Sequence, residues 1–280
     1  MTGRVPLSNN SVNETVTKPN LLHRIGARFN VRLAGVNYLA ATTGTLLWMA
    51  CQPRRWPRTT RNVFARQLLF TGVEALNFVA LAAFMVGISV VVQAQLWLGK
   101  AGQTELLGKI LVMVIIRELG PLLVNFIIIG RSGNAIATEL AGMKINGEIQ
   151  VLESQGIDPL LYLAMPRALA MAIAVLCLTI WFIVISLTSG YICGILVGVG
   201  AGDPLIFLDS VLKGLRPADI FNLLFKTLLP GMTTGLICVV EGLSVKTALT
   251  EVPQAATRAV VASIGALFVI SAIISVITYL

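Results

Sequence analysis

The sequence predicts an all-α integral membrane protein with five transmembrane helices and an N-terminal interfacial or re-entrant helix. Three observations carry this reading. Of 280 residues, 56% are hydrophobic and only 12% are charged, against about a quarter charged in a typical soluble domain. Mean hydropathy is +0.85. Long charge-free runs recur along the chain, and basic residues gather before the first transmembrane one. So few ions cannot cover a soluble surface, which excludes a soluble enzyme of this length. One membrane domain is expected.

Residues 1–20 are polar, rich in Ser, Asn and Thr, with no apolar core of a signal peptide. They read as a disordered cytoplasmic tail. Residues 21–66 form the N-terminal interfacial or re-entrant segment. Its apolar run Leu33–Pro53 contains Asn37, Thr42, Thr43, Gly44 and Thr45, with Arg24, Arg28 and Arg32 before it and Arg54, Arg55, Arg58 and Arg61 after it. A span here would strand one arginine cluster outside, against the positive-inside rule. An interfacial or re-entrant path keeps both clusters at the headgroups. The formal charge of +8 has the same origin, because ten basic residues precede residue 70 and only Glu14 opposes them. Without an aromatic platform or a DNA-binding motif this is a membrane flank, and nucleic acid is not an expected partner.

The transmembrane domain is 67–280. A helix needs about 20 apolar residues to cross the hydrocarbon core, and the runs place spans at about 72–98, 107–130, 167–200, 222–241 and 259–279. The helical stretch Arg61–Thr71 leads into the first. With the N-terminus inside, 131–166 and 242–258 are cytoplasmic, while 99–106 and 201–221 face outside. No internal repeat is visible, which argues against inverted-repeat transporters. Gly190, Gly194, Gly198 and Gly202 recur every four residues, and Gly231 and Gly235 repeat the spacing. Such stripes let helix backbones approach closely, either within the chain or at a homodimer seam. Cys51, Cys177, Cys193 and Cys238 lack CxxC spacing and read as small buried hydrophobes.

The chemistry-bearing residues are few. Arg117-Glu118-Leu119-Gly120-Pro121 lies inside the second span, where each charge costs about 2.5–3.5 kcal/mol on insertion scales and needs a partner or a wet cavity. Neighbouring helical residues point about 100° apart, so these two must find partners elsewhere. Pro121 is expected to kink the helix. Lys226 and Arg66, at span entrances, read from position alone as snorkelling anchors. In the connection 131–166, Leu140, Met143, Ile149 and Leu152 recur at helical spacing, with Gly147 separating two short helices and Asp158-Pro159 starting another. The acids Glu139, Glu148, Glu153 and Asp158 outnumber Lys144 and the flanking arginines, so this face suits a protein partner better than anionic lipid. A single histidine, His23, leaves no basis for a His metal site or His catalysis, and no metal is expected. Gly99-Lys100 and Gly108-Lys109 lack the following Ser or Thr of a phosphate-binding loop. Any ATP that drives this protein must be hydrolysed by another chain.

Arg117-Glu-Leu-Gly-Pro121, Gly130-Arg-Ser-Gly-Asn-Ala135, Glu139, Met143, Glu153, Gly156-Ile-Asp-Pro159 and Pro166-Arg167 together resemble the MlaE/YrbE permease family of MCE-associated lipid ABC transporters. The resemblance runs from about Arg66 to Arg258. It implies an MlaE-type permease, homodimeric in a bacterial inner membrane, that moves phospholipid or a related lipid between that membrane and a periplasmic MCE-domain protein. It also implies a cytoplasmic ABC ATPase holding ATP and magnesium, with a STAS-domain subunit in many systems. Carried over by motif, Arg117 and Glu118, with Arg66, Lys226 and Arg258, are candidates for a lipid-headgroup cavity; Glu139, Lys144, Glu148, Glu153 and Asp158 are candidates for ATPase coupling. The sequence departs from the family at Met143-Lys144-Ile145-Asn146-Gly147-Glu148, where the family's carboxylate stands one position earlier, and at Pro253–Thr257, which lacks an arginine. Two other readings are a stand-alone channel or secondary carrier, which the intramembrane charges suit, and a membrane-embedded lipid-modifying enzyme, which lacks a catalytic constellation.

The arginines on both sides of Leu33–Pro53 generate a topological expectation. Cys51 stays on the cytoplasmic side or within the inner leaflet, so an impermeant thiol reagent added to intact cells leaves it unlabelled. Strong external labelling would mean a sixth span.

Overall fold

The computed structural model describes residues 58–279, apart from 104–105, 199–202 and 247, and every regular element among them is helical. The expected tail, most of the interfacial segment and Cys51 lie outside the described residues. In chain order the elements are α1 (Thr60–Lys100) and α2 (Leu107–Ile145), the short α3 (Glu148–Ser154), α4 (Tyr162–Leu196), α5 (Pro204–Gly214), then α6 (Pro217–Leu243) and α7 (Leu249–Thr278). The five long helices are apolar enough to cross a membrane, and this is a multi-pass membrane protein.

The spans exceed the predicted ones, mainly at one end of the bundle. α2 does not stop at residue 130. A π turn at Ile129–Gly133 absorbs Gly130, Ser132 and Gly133, and the helix continues to Ile145. Residues 131–145, expected in a separate cytoplasmic connection, therefore extend the second span. Propensity favours a break at two glycines, but packing overrides it: a Cβ on Gly133 would sit 3.1 Å from the Cys238 sulfur of α6. Gly147, at φ +77°, then separates α2 from α3, and Pro159 is the first helical residue of the next segment. Those two punctuation marks are as the sequence predicted.

α5 is an element absent from the sequence reading. Asp203 caps it by accepting from the Leu205 N–H at 3.0 Å, and Pro204 follows. The same Asp-Pro signal stands at 158–159, so the sequence did carry it. α5 docks on the start of α2, where Gly108 faces the Ser210 carbonyl and Gly214 faces the Gly108 backbone. Phe207 and Val211 join Val91, Leu111, Val112, Ile115 and Ile116 in one buried cluster there.

α2, α4 and α6 form the interior, and α1 and α7 flank it: the most apolar window of α6 is 61% buried, that of α7 only 17%. The glycine stripes make the tight seams. On α4, Gly190 packs against Val91 and the Gly87 carbonyl of α1, and Gly194 packs against Gln95. Gly231 and Gly235 of α6 lie on Ala172 and Ala168 of α4. These four glycines serve packing within the chain, not a seam between copies. Gly198 is different, a positive-φ residue (+76°) just past the end of α4 with open space around it.

At one end, called here the α3 end, ion pairs tie the helix extensions together. Arg131 of α2 pairs with Glu74 of α1 at 2.8 Å and donates to the Phe70 carbonyl at 3.2 Å. Arg167 of α4, buried, pairs with Glu139 of α2 at 2.8 Å.

The seams predict which glycines tolerate a methyl group. Gly190→Ala drives a Cβ into Val91 and the Gly87 carbonyl and is expected to lower the melting temperature of the detergent-purified protein clearly. Gly265→Ala, in a helix and with nothing within 4 Å of the new atom, is expected to keep or raise it, since alanine exceeds glycine in helix propensity by about 1 kcal/mol. Thermal unfolding of the two variants against wild type is the check.

Candidate functional site

The charges in the second span find their partners on α6. Arg117 Nε lies 2.7 Å from Asp219 Oδ1, and Nη2 donates to Oδ2 at 3.1 Å, a two-pronged pair with the carboxylate fully buried. Glu118 Oε1 lies 2.7 Å from Lys226 Nζ. It also accepts from Ser275 of α7 at 3.1 Å. The two neighbours thus point to different partners, as their angular separation on a helix requires. Two cations and two carboxylates cancel inside the bundle, which is the condition for keeping them at membrane depth.

The local backbone explains why these side chains are placed so well. Val112–Leu119 is a π turn, and the Gly120 N–H reaches back to the Ile115 carbonyl. Pro121 then has no N–H to offer the carbonyl one turn earlier, that of Arg117. That oxygen accepts instead from Lys226 Nζ at 3.1 Å and from Asn222 Nδ2 at 3.4 Å. The mirror situation holds on α6. Pro230 lies inside the helix and has no N–H for the Lys226 carbonyl, which accepts from Asn125 Nδ2 of α2 at 3.2 Å. Each proline-interrupted helix is completed by a side chain of the other. Asn125 donates as well to the Pro121 carbonyl at 2.8 Å.

Lys226 is therefore no snorkelling anchor. Its side chain is 1% exposed and engages both Glu118 and the Arg117 backbone. An anchor needs a path to the headgroups, and here the ammonium has a carboxylate and a proline-released carbonyl within reach.

Asp219 escaped the sequence reading. It stands third in α6, after Arg216 and Pro217, and its carboxylate accepts from the Arg216 N–H at 2.8 Å. Pro217-Ala218-Asp219 reads in sequence as an ordinary helix start, with the acid suited to the helix dipole. Its second task, closing on Arg117, depends on a partner 102 residues away.

Three of the five cavity candidates, Arg117, Glu118 and Lys226, converge. Arg258 lies at the other end of α6, where it pairs with Glu241 at 3.1 Å; fifteen residues of helix from Lys226 to Glu241 is about 22 Å. Arg66 is exposed on α1, before Gly72, which faces Ala174 of α4. It too belongs to the α3 end. The structure does not bring either to the central cluster.

The coupling candidates separate similarly. Glu148 and Glu153 are exposed on α3, and Asp158 is exposed before the π turn that opens α4. Lys144 is half-buried at the end of α2. Glu139 is already held by Arg167. Among the described residues no group of three or more His, Cys, Asp or Glu is arranged to hold a metal ion.

A family model described as Permease MlaE matches residues 64–277. A Rickettsia prowazekii protein named a probable ABC transporter permease is 31% identical over 204 residues, covering 72% of this chain and 77% of its own. The chloroplastic protein TRIGALACTOSYLDIACYLGLYCEROL 1 of Arabidopsis thaliana is 28% identical over 215 residues, 75% of this chain and 59% of its own. The intermembrane phospholipid transport system permease protein MlaE of Haemophilus influenzae is 26% identical over 200 residues, 71% of this chain and 76% of its own.

Breaking the Arg117–Asp219 pair on one side leaves a guanidinium without its buried counter-charge. Asp219→Asn is expected to destabilise the folded protein by about 3 kcal/mol, whereas the double change Arg117→Met with Asp219→Leu costs much less because no charge is stranded. Chemical denaturation of the single and double variants in detergent checks the difference.

Proposed function

The chain belongs to the MlaE permease family, and from that premise we propose that it is the membrane subunit of an ATP-driven lipid transporter. The observation that carries the reading is the Arg117–Asp219 and Glu118–Lys226 network: neutral overall and held between apolar helices, yet with Glu118 still 46% exposed. A headgroup passing that point meets a polar surface it can use in place of water, while its acyl chains stay against apolar helix faces. The relatives' names support the same reading, since one is named a phospholipid transport system permease protein and another a probable ABC transporter permease.

We place the α3 end in the cytoplasm. The short helix α3 is joined there on both sides to spans, and the pairs Arg167–Glu139 and Arg131–Glu74 would transmit a push on α3 to α1, α2 and α4 together. Glu148 and Glu153 are the exposed acids that an ABC ATPase would engage; Glu139 acts instead as a strut through Arg167. ATP and magnesium belong on that separate ATPase. A second copy of this chain, a periplasmic MCE-domain protein as the lipid's donor or acceptor, and a STAS-domain subunit complete the proposed assembly in a bacterial inner membrane. In this scheme Arg66 and Arg258 lie near the cytoplasmic headgroups, away from the central polar surface.

Glu148→Lys with Glu153→Lys is expected to weaken recovery of the ATPase on tagged permease from detergent extract, while membrane insertion stays normal. A double change is used because interfacial charges matter little at a rim and much when buried. Glu118→Leu is expected to keep ATPase binding and to lose lipid-stimulated ATP hydrolysis. Undiminished ATPase recovery in the first variant together with wild-type stimulation in the second would remove this reading.

A further inference from the structure

The polar network is asymmetric toward what can reach it, and the asymmetry bears on the headgroup. Arg117 is 16% exposed and clamped on Asp219 through two nitrogens. Lys226 is 1% exposed and spends its ammonium on Glu118 Oε1 and the Arg117 carbonyl. The most exposed member of the network is Glu118, at 46%. Both of its hydrogen bonds, from Lys226 and from Ser275, end on Oε1. Among the described residues nothing donates to Oε2. The reachable, unfilled capacity of the site is thus a carboxylate acceptor, while both cations face inward.

We propose that the site selects headgroups carrying an N–H or O–H donor and disfavours those that present only phosphate or a fully alkylated amine. This deepens the lipid-transport reading and rests on it. A fully ionised phosphate brings acceptors alone and meets a carboxylate rather than an open cation. A quaternary ammonium brings charge without a hydrogen to donate. A primary ammonium or a sugar hydroxyl fills Oε2 directly, and hydrogen bonds to a charged group are the stronger kind.

The test is lipid binding to the delipidated, full-length permease in detergent, measured by native mass spectrometry with four probes of equal acyl composition. These are phosphatidylethanolamine, a monoglycosyl diacylglycerol, phosphatidylcholine and phosphatidic acid. The expected result is phosphatidylethanolamine bound about tenfold more tightly than phosphatidylcholine or phosphatidic acid. The glycolipid arm separates the two donor sources: it matches phosphatidylethanolamine if hydroxyls suffice and lies between it and phosphatidylcholine if the ammonium charge adds to the donor, whereas a glycolipid bound no more tightly than phosphatidylcholine would overturn the donor rule. Glu118→Gln, which turns an amide donor toward the open side, is expected to erase the preference. Equal or tighter binding of phosphatidic acid or phosphatidylcholine to wild type would overturn the proposal and leave lipid transport standing, as would a preference unchanged in Glu118→Gln. No binding of any of the four would overturn the transport reading, and this proposal with it.

Discussion

Charge neutrality inside an apolar bundle is the constraint on which the arrangement of this protein depends. Arg117 and Glu118 each cost a few kcal/mol at membrane depth, and no residue on their own helix neutralises them. Asp219 and Lys226 do so at 2.7 Å each, and the two contacts fix both the height and the rotation of α2 against α6. The order of signs matters as well: Arg-Glu on one helix meets Asp and Lys on the other, seven positions apart. A slip of one turn would leave these four charges without partners, two of them, on Asp219 and Lys226, fully buried.

The prolines strengthen the same contact. A carbonyl denied its N–H in lipid has to be satisfied from elsewhere. Pro121 and Pro230 each create such a carbonyl, on Arg117 and Lys226, and the donors that answer, Lys226 and Asn125, come from the opposite helix. Features that weaken each helix singly therefore bind the pair. The glycine seams hold α4 to α1 on one side and to α6 on the other, so the polar core is framed by close backbone contacts rather than by large interlocking side chains.

Much of this was legible in the sequence. The five spans among the described residues follow from apolar runs of membrane length, the break at Gly147 from glycine's ease at positive φ, and the start at Pro159 from the Asp-Pro signal. The same signal at Asp203-Pro204 marks α5, within a stretch, 201–221, whose hydropathy alone reads as a connection. Span ends differ because lipid length is not helix length: nothing in residues 131–145 stops a helix once Gly133 is packed against Cys238. Of the site, Arg117 and Glu118 stood out as ions in an apolar run. Asp219 did not, because an acid in the first turn of a helix needs no further explanation.

Within residues 58–279 the sequence alone determined which segments are long and apolar enough to cross the membrane, and that two adjacent ions inside one of them needed partners. Hydropathy and the cost of a buried charge are local quantities, readable from a window of residues. Only the tertiary structure decided which partners those ions take, that Lys226 faces inward instead of snorkelling, that Glu139 is committed to Arg167, and that Arg66 and Arg258 lie apart from the centre. Those outcomes depend on the relative height and rotation of helices whose paired residues stand 28 to 108 positions apart in the chain, and that is set by packing and pairing across the bundle, which no local pattern encodes.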